Sequence, residues 1–226
     1  MTYQLKTIEL SLPFKLGSVN CYLIQVDTGF ILIDTGSSNM SSELTREIES
    51  AGCRTGNLNL ILITHGDFDH TGNAAHLREK FTTKIAMHLD DALMAERGDM
   101  LSNRKSVNLL NRLVAVLTSR LMGFDKAKRF TADLHLKEGD QLSGYGLDAE
   151  VLSIPGHSQG SIGILTVNGD LFCGDLFENT TRPGLSAIMD DSAAAQASLE
   201  KLQRYPIKTV YPGHGPPFPM ALLQSE

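Results

Sequence analysis

Six consecutive positions, His65-Gly-Asp67-Phe-Asp69-His70, carry two imidazoles and two carboxylates. So many titratable groups in one short stretch are costly to fold together unless a cation lies among the acids. Imidazole nitrogen and carboxylate oxygen are together a donor set for zinc, iron or manganese. Three residues much farther along the chain extend the set: His157 after Pro155 and Gly156, Asp175 after Cys173 and Gly174, and His214 between Gly213 and Gly215. Glycine beside each lets the backbone turn tightly, so that loops from distant strands converge on one point. His65, Asp67, Asp69, His70, His157, Asp175 and His214 are then seven candidate ligands. Seven is more than one tetrahedral ion needs and suits two. His76, His88 and His135 sit in ordinary helix or strand patterns and are expected at the surface or in structural roles.

Two other short matches propose different chemistry. Asp34-Thr-Gly36 resembles the active-site loop of aspartic proteases, but that mechanism needs two carboxylates sharing a proton. The one other Asp-Thr-Gly, residues 27–29, is the turn of the preceding hairpin, and a turn beside a strand uses these residues for backbone reasons alone. Gly156-His-Ser158-Gln-Gly160 matches the nucleophile elbow of serine hydrolases, with Asp175 or Asp190 and then His214 in the expected order. The elbow must lie between a strand and a helix, whereas residues 161–167 are β-branched and read as a strand. A Ser158 nucleophile would also leave the 65–70 cluster without work.

The elements that must position these groups follow from periodicity. Residues 19–26 and 30–34 read as a hairpin, and Ser41 to Ala51 as a helix capped by Ser41 or Ser42 and stopped by Gly52. Residues 58–63 are a buried strand, 74–81 a helix and 84–88 a strand, so the histidine cluster occupies the loop of a βαβ unit. Strands at 149–154, 161–167 and 171–173, a helix at about 193–204 and a strand at 209–211 complete the body. Asp175 is expected at a strand end. Residues 91–130 differ in character, with eight basic residues against four acidic and an apolar stripe of Val107, Leu110, Val114, Leu117 and Leu121. They read as a helical insertion on an α/β body. Its basic face is either solvated packing or an entrance wall that attracts an anionic substrate, the latter through charges such as Arg104 and Lys105.

Composition bounds the alternatives. The chain has 226 residues, 42% of them hydrophobic, which suits a single domain over 1–226. A net charge of −6 argues against nucleic acid as a partner. No signal peptide or membrane span is visible, and the three cysteines, Cys21, Cys53 and Cys173, are sparse and unpaired in pattern. A cytoplasmic protein without a membrane partner is expected, acting on a small molecule, with homodimerisation left open.

His65-x-Asp67-x-Asp69-His70, followed by His157, Asp175 and His214, resembles the metallo-β-lactamase superfamily, whose usual first motif is His-x-His-x-Asp-His. Asn20-Cys-Tyr-Leu-Ile24, Leu32-Ile-Asp-Thr-Gly36, the 155–162 segment and Tyr211-Pro-Gly-His-Gly215 are similar to other segments of that family, its glyoxalase-II-like branch included. The resemblance implies a four-layer αββα sandwich. It implies that His65, Asp67 and His157 surround one metal, that Asp69, His70 and His214 surround a second, and that Asp175 bridges. Asp34 resembles a position that supports the ligands from behind. Two divalent ions, zinc foremost, lower the pKa of a shared water, so that a bridging hydroxide attacks an ester, thioester, lactone or phosphoester. Asp69 is the expected catalytic residue, orienting that hydroxide or shuttling its proton. Asp67 departs from the motif. Its harder oxygen admits iron or manganese, and flavodiiron proteins resemble this chain in carrying an acid there. That opens a di-iron, oxygen-using alternative such as a thiol dioxygenase, while a non-catalytic metal-stabilised binding protein is a third class.

Overall fold

The computed structural model describes residues 3–12, 17–99 and 129–223. The region expected as an insertion is therefore divided. Residues 100–128, including Arg104, Lys105 and the apolar stripe, lie outside the described residues. Residues 91–97 lie in a helix that starts directly after a core strand, and their Ala92, Met94 and Ala95 are buried.

The first half of the chain forms one sheet. Strands β1 (Gln4–Ser11), β2 (Ser18–Val26) and β3 (Gly29–Ile33) are antiparallel neighbours. Then β4 (Leu58–Leu62), β5 (Ile85–His88) and β6 (Leu134–Leu136) add in parallel, giving the spatial order β1 to β6. Helices α1 (Ser41–Ser50), α3 (Ala74–Phe81) and α4 (Leu89–Arg97) cover its outer face, and the short α2 (Phe68–Thr71) lies between α1 and α3 in the chain. Gly52 takes up a left-handed conformation after α1, as its placement predicts. Neither Ser41 nor Ser42 caps α1, however. A 3-10 turn at Ser38–Met40 runs straight into the helix, so Met40 holds the cap position without a side-chain bond.

The second sheet has the order β12-β11-β9-β8-β7, with β10 (Gly184–Leu185) paired to β9. Its strands are β7 (Ala149–Ser153), β8 (Ile162–Thr166), β9 (Asp170–Glu178), β11 (Thr209–His214) and β12 (Phe218–Pro219). Helix α5 (Ser192–Leu202) covers its outer face through Ala195 and Leu202.

Alternation along each strand sorts the side chains into layers. Cys21, Leu23, Phe30 and Leu32 point to the helices, while Tyr22, Ile24, Ile31 and Ile33 point to the other sheet. There they meet Val151, Ile162, Ile164 and Phe172, and Tyr22 packs edge-on against Phe172 at 5.1 Å. Strands buried on both faces are continuously apolar, which is why these runs show no polar alternation. The result is the four-layer αββα sandwich. No helix among the described residues is long and apolar enough to cross a membrane.

Candidate metal centre

The site lies along the edge where loops from both sheets meet. Strand β4 ends at Leu62 and delivers His65. Asp67 holds the N-cap position of α2, which carries Asp69 and His70. His157 sits in the connection between β7 and β8, and His214 ends β11. Asp175 lies inside β9, since the strand runs on to Glu178 rather than stopping near Cys173. Its register against β11 is irregular here, with Gly174 at φ 51°, and such a bulge re-aims the next side chain.

All seven expected ligands converge. His157 Nε2 is 3.1 Å from Asp67 Oδ2, and His65 Nε2 is 3.9 Å from both Asp67 Oδ2 and Asp175 Oδ2. On the other side, His70 Nε2 is 3.2 Å from Asp175 Oδ1. His214 Nε2 is 3.2 Å from Asp175 Oδ2 and 3.4 Å from Asp69 Oδ2. Two triads have ligand atoms close enough to share an ion: His65, His157 and Asp175, and Asp69, His70 and His214. Gly213 is required here, because a Cβ would stand 2.1 Å from Asp175 Oδ1 and 2.7 Å from His70 Cε1.

Each imidazole is tied down by its outer nitrogen. His157 Nδ1 donates to Ile188 O at 2.8 Å and His214 Nδ1 to Ser18 O at 2.7 Å. His70 Nδ1 donates to Asp34 Oδ2 at 2.9 Å. The Thr64 hydroxyl donates to the same oxygen at 2.8 Å and so accepts from His65 Nδ1 at 3.0 Å. These bonds fix the ring orientations and turn Nε2 of all four inward, the nitrogen that would bind a metal once it is free of a proton. His65 Nε2, His70 Nε2 and Asp175 Oδ1 are buried without a hydrogen-bond partner. Nitrogen and carboxylate lone pairs facing one another need a cation between them, so the donor set fits metal ions.

Charge follows the same geometry. Burial, with His70 and His157 adding to it, pushes the His65 imidazole down to about 4, so it is neutral. For His70 and His214 burial acts in the same sense but is overridden. Asp175, Asp34 and Asp69 hold His70 well above the usual range, and Asp175 with Asp69 holds His214 at about 11. Protons thus compete with cations for these positions. Exposure is graded: the side chains of His65, His70 and His157 are at most 2% exposed, while His214 and Asp69 reach 19% and 22%. The mouth is therefore on the Asp69–His214 side.

The competing readings lose their geometry. Ser158 lies between two antiparallel strands and bonds to Asp91 Oδ2 at 2.6 Å and to Ser161 Oγ at 2.8 Å, not to a histidine. Asp34 is buried and engaged by Thr64 and His70, as a supporting residue and not a protease acid. Of the other histidines, His76 and His135 are exposed and His88 accepts from Asp90 N–H at the start of α4.

Several contributors carry no ligand signal in the chain, although Asn20 and Tyr22 lie in a segment quoted for the resemblance. Asn20 Nδ2 donates to Pro212 O and Gly215 O at 3.1 and 2.7 Å, and the Tyr22 hydroxyl donates to Pro212 O at 2.6 Å. Strand β2 of one sheet thereby braces the His214 loop of the other. Asp91, counted in sequence only as one acid of the basic region, is fully buried beside the His65 and His157 loops.

A family model described as the metallo-beta-lactamase superfamily matches residues 15–214. A probable metallo-hydrolase of Methanocaldococcus jannaschii is 29% identical over 204 residues, covering 88% of either chain. A hydroxyacylglutathione hydrolase of Haemophilus influenzae is 29% identical over 68% of this chain and 64% of its own. An acyl-coenzyme A thioesterase of Gallus gallus is 30% identical over 69% of this chain and 56% of its own. The chain thus spans less than two thirds of the last two relatives. Among solved structures, a protein in a di-iron-bound form superposes with a TM-score of 0.68 at 27% identity, covering 95% of this chain and 96% of that one.

Proposed function

The chain belongs to the metallo-β-lactamase superfamily and is a metal-dependent hydrolase, and from that premise we propose a dinuclear enzyme that cleaves a small thioester or related acyl ester. The observation that carries the reading is the inward convergence of four tethered Nε2 atoms on Asp67, Asp69 and Asp175. Two relatives named for hydroxyacylglutathione and acyl-coenzyme A favour a thioester among the acyl, lactone and phosphoester candidates.

When bound, the ions supply Lewis-acid activation of water and of the acyl oxygen that gains charge. The chain's own residues do the rest. His65, Asp67 and His157 form the buried floor, and Asp175 faces both triads. Asp69 stands at the rim, and His70 and His214 keep its carboxyl below the usual range against the opposing effect of burial. Its Oδ2 is thus an ionised acceptor that can take a proton from the attacking water and return it to the leaving group. Ile188, an exposed residue whose carbonyl holds His157, offers an apolar rim to the acyl part. The low net basicity of the body makes the 91–130 region the source of any attraction for an anionic leaving group.

Metal analysis of protein purified without chelator is expected to return close to two ions per chain, with turnover of a thioester panel lost on chelation and restored by metal. A metal-free protein of unchanged activity would sink the reading. Asp67, 3.1 Å from His157 and hard in character, together with the di-iron-bound neighbour, supports iron as the native ion and an oxidative second reading. Oxygen consumption with a thiol or persulfide, in place of thioester cleavage, would select it.

A further inference from the structure

One fully buried carboxylate has no part in the chemistry above. Asp91 stands in the first turn of α4, with no exposure, and its hydrogen-bond donors Gly66, Ser158 and Gly160 lie in two loops. Its Oδ2 accepts Gly66 N–H at 2.9 Å and the Ser158 hydroxyl at 2.6 Å, and its Oδ1 accepts Gly160 N–H at 2.9 Å. Gly66 lies between His65 and Asp67, while Ser158 and Gly160 follow His157. His65, Asp67 and His157, together with Asp175, line the first metal position of the proposed pair. The ligands on the other side are held differently, His70 by Asp34 and His214 by Ser18 O.

The approach is close by construction. A Cβ on Gly160 would meet Asp91 Oδ1 at 2.6 Å and Asp91 N at 2.7 Å, so a side chain there would force the loop away from the helix. Ser161 Oγ accepts Ser158 N–H at 3.1 Å and contacts the Ser158 hydroxyl at 2.8 Å, which orients that hydroxyl toward Asp91. A buried carboxylate is stable only when such donors surround it, and three donors from two loops fix both loops to one rigid helix.

We infer that Asp91 is a positioning residue that sets the spacing of His65 and Asp67 to His157, and so the affinity of the first metal position and not the second. This rests on the two-metal reading. The bonds it makes act on ligands through one intervening residue, a supporting role for which removal typically costs about 10–100-fold in metal affinity.

The test uses the full chain with Asp91→Asn, which keeps the volume but turns an NH2 group toward a donor in either flip. Wild-type and variant chains, loaded with manganese or zinc, are equilibrated with a competing chelator, and ions per chain and stepwise affinity are measured. The expected result is one ion held as in wild type and the other weakened about 10–100-fold. Combining the change with His157→Ala should cost no further ion. Ser158→Ala, which removes one donor of three, is expected to weaken the same ion less, and it serves if Asp91→Asn does not fold. Two unchanged affinities, or an equal weakening of both ions, would overturn the assignment. A wild-type chain that holds a single ion overturns the two-metal reading instead. Asp91 is then judged on that ion, its weakening supporting the assignment and its retention overturning it.

Discussion

Asp34 and His70 are joined by a 2.9 Å hydrogen bond between Oδ2 and Nδ1, made from a backbone held in the left-handed region at φ 59°. The same oxygen takes the Thr64 hydroxyl, through which it reaches His65. One carboxylate therefore sets the tautomer of a ligand in each triad. A non-glycine residue adopts this conformation at a cost, and asparagine tolerates it as aspartate does. Asp34→Asn should fold normally yet lose affinity for both ions, by about 10–100-fold. Chelator competition measures this, and wild-type affinity for both ions would refute the role.

Asp67 is the letter by which the first motif departs from its family. Its Oδ2 lies between His157 Nε2 and His65 Nε2, at 3.1 and 3.9 Å. Replacing it by histidine exchanges a hard anionic oxygen for a softer neutral nitrogen. Asp67→His is expected to shift the ion taken from an equimolar mixture toward zinc and away from iron and manganese. Elemental analysis of the recovered protein reads the shift, and an unchanged ratio would mean that the other donors of the site decide selectivity.

The metal-free chain should have its own pH signature. Burial disfavours a charged His214, but Asp175 and Asp69 override it and hold the group at about 11, above the ordinary value of 6.5. A raised folded pKa contributes stability that is complete below 6.5 and is lost as pH rises through about 11. The chelated protein should therefore lose thermal stability between neutral pH and about 11 more steeply than the metal-loaded one, in which the ion replaces the proton. Melting curves across that range, with and without chelator, give the comparison. Parallel losses in the two forms would contradict the assignment.

The brace between the sheets is testable apart from the metals. Tyr22→Phe keeps the ring packed on Phe172 and Tyr211 but removes the 2.6 Å bond to Pro212 O, leaving that carbonyl to Asn20. A lost buried hydrogen bond costs about 1–2 kcal/mol, or roughly 2–8 °C in a chain of this size. Calorimetry should find that fall with two ions still bound.

Ser158→Ala separates the hydrolase classes. A serine nucleophile demands a loss of about 10⁴-fold or more, whereas a residue that only supports the His157 loop should cost about tenfold at most. Steady-state rates with the metal-replete protein decide between them.

The convergence of the candidate ligands was legible because their types announce themselves. Histidine beside glycine at the end of an apolar run suits a turn that carries a polar side chain to a site, and His65, His157 and His214 are such cases. Strand and helix positions followed from alternation and helical spacing, as in β4, β5 and α3. The same local signals misplaced the end of β9, since a bulge at Gly174 is set by its pairing with β11. They also gave no sign of the burial of Ala92, Met94 and Ala95, which the charge composition of their segment hid.

What the sequence determined by itself is the chemistry on offer: a donor set of four imidazoles and three carboxylates, the harder oxygen at Asp67, and the two-sheet body that carries them. Tertiary structure alone decided the pairings. Asp91 and Ser158 are 67 residues apart, Asn20 and Pro212 192 apart, and neither pair has a spacing or periodicity that could betray it. Donor type and charge are properties of a residue, but a hydrogen bond of 2.6 Å between a helix and a loop 67 residues away exists only after two sheets have packed and set their separation.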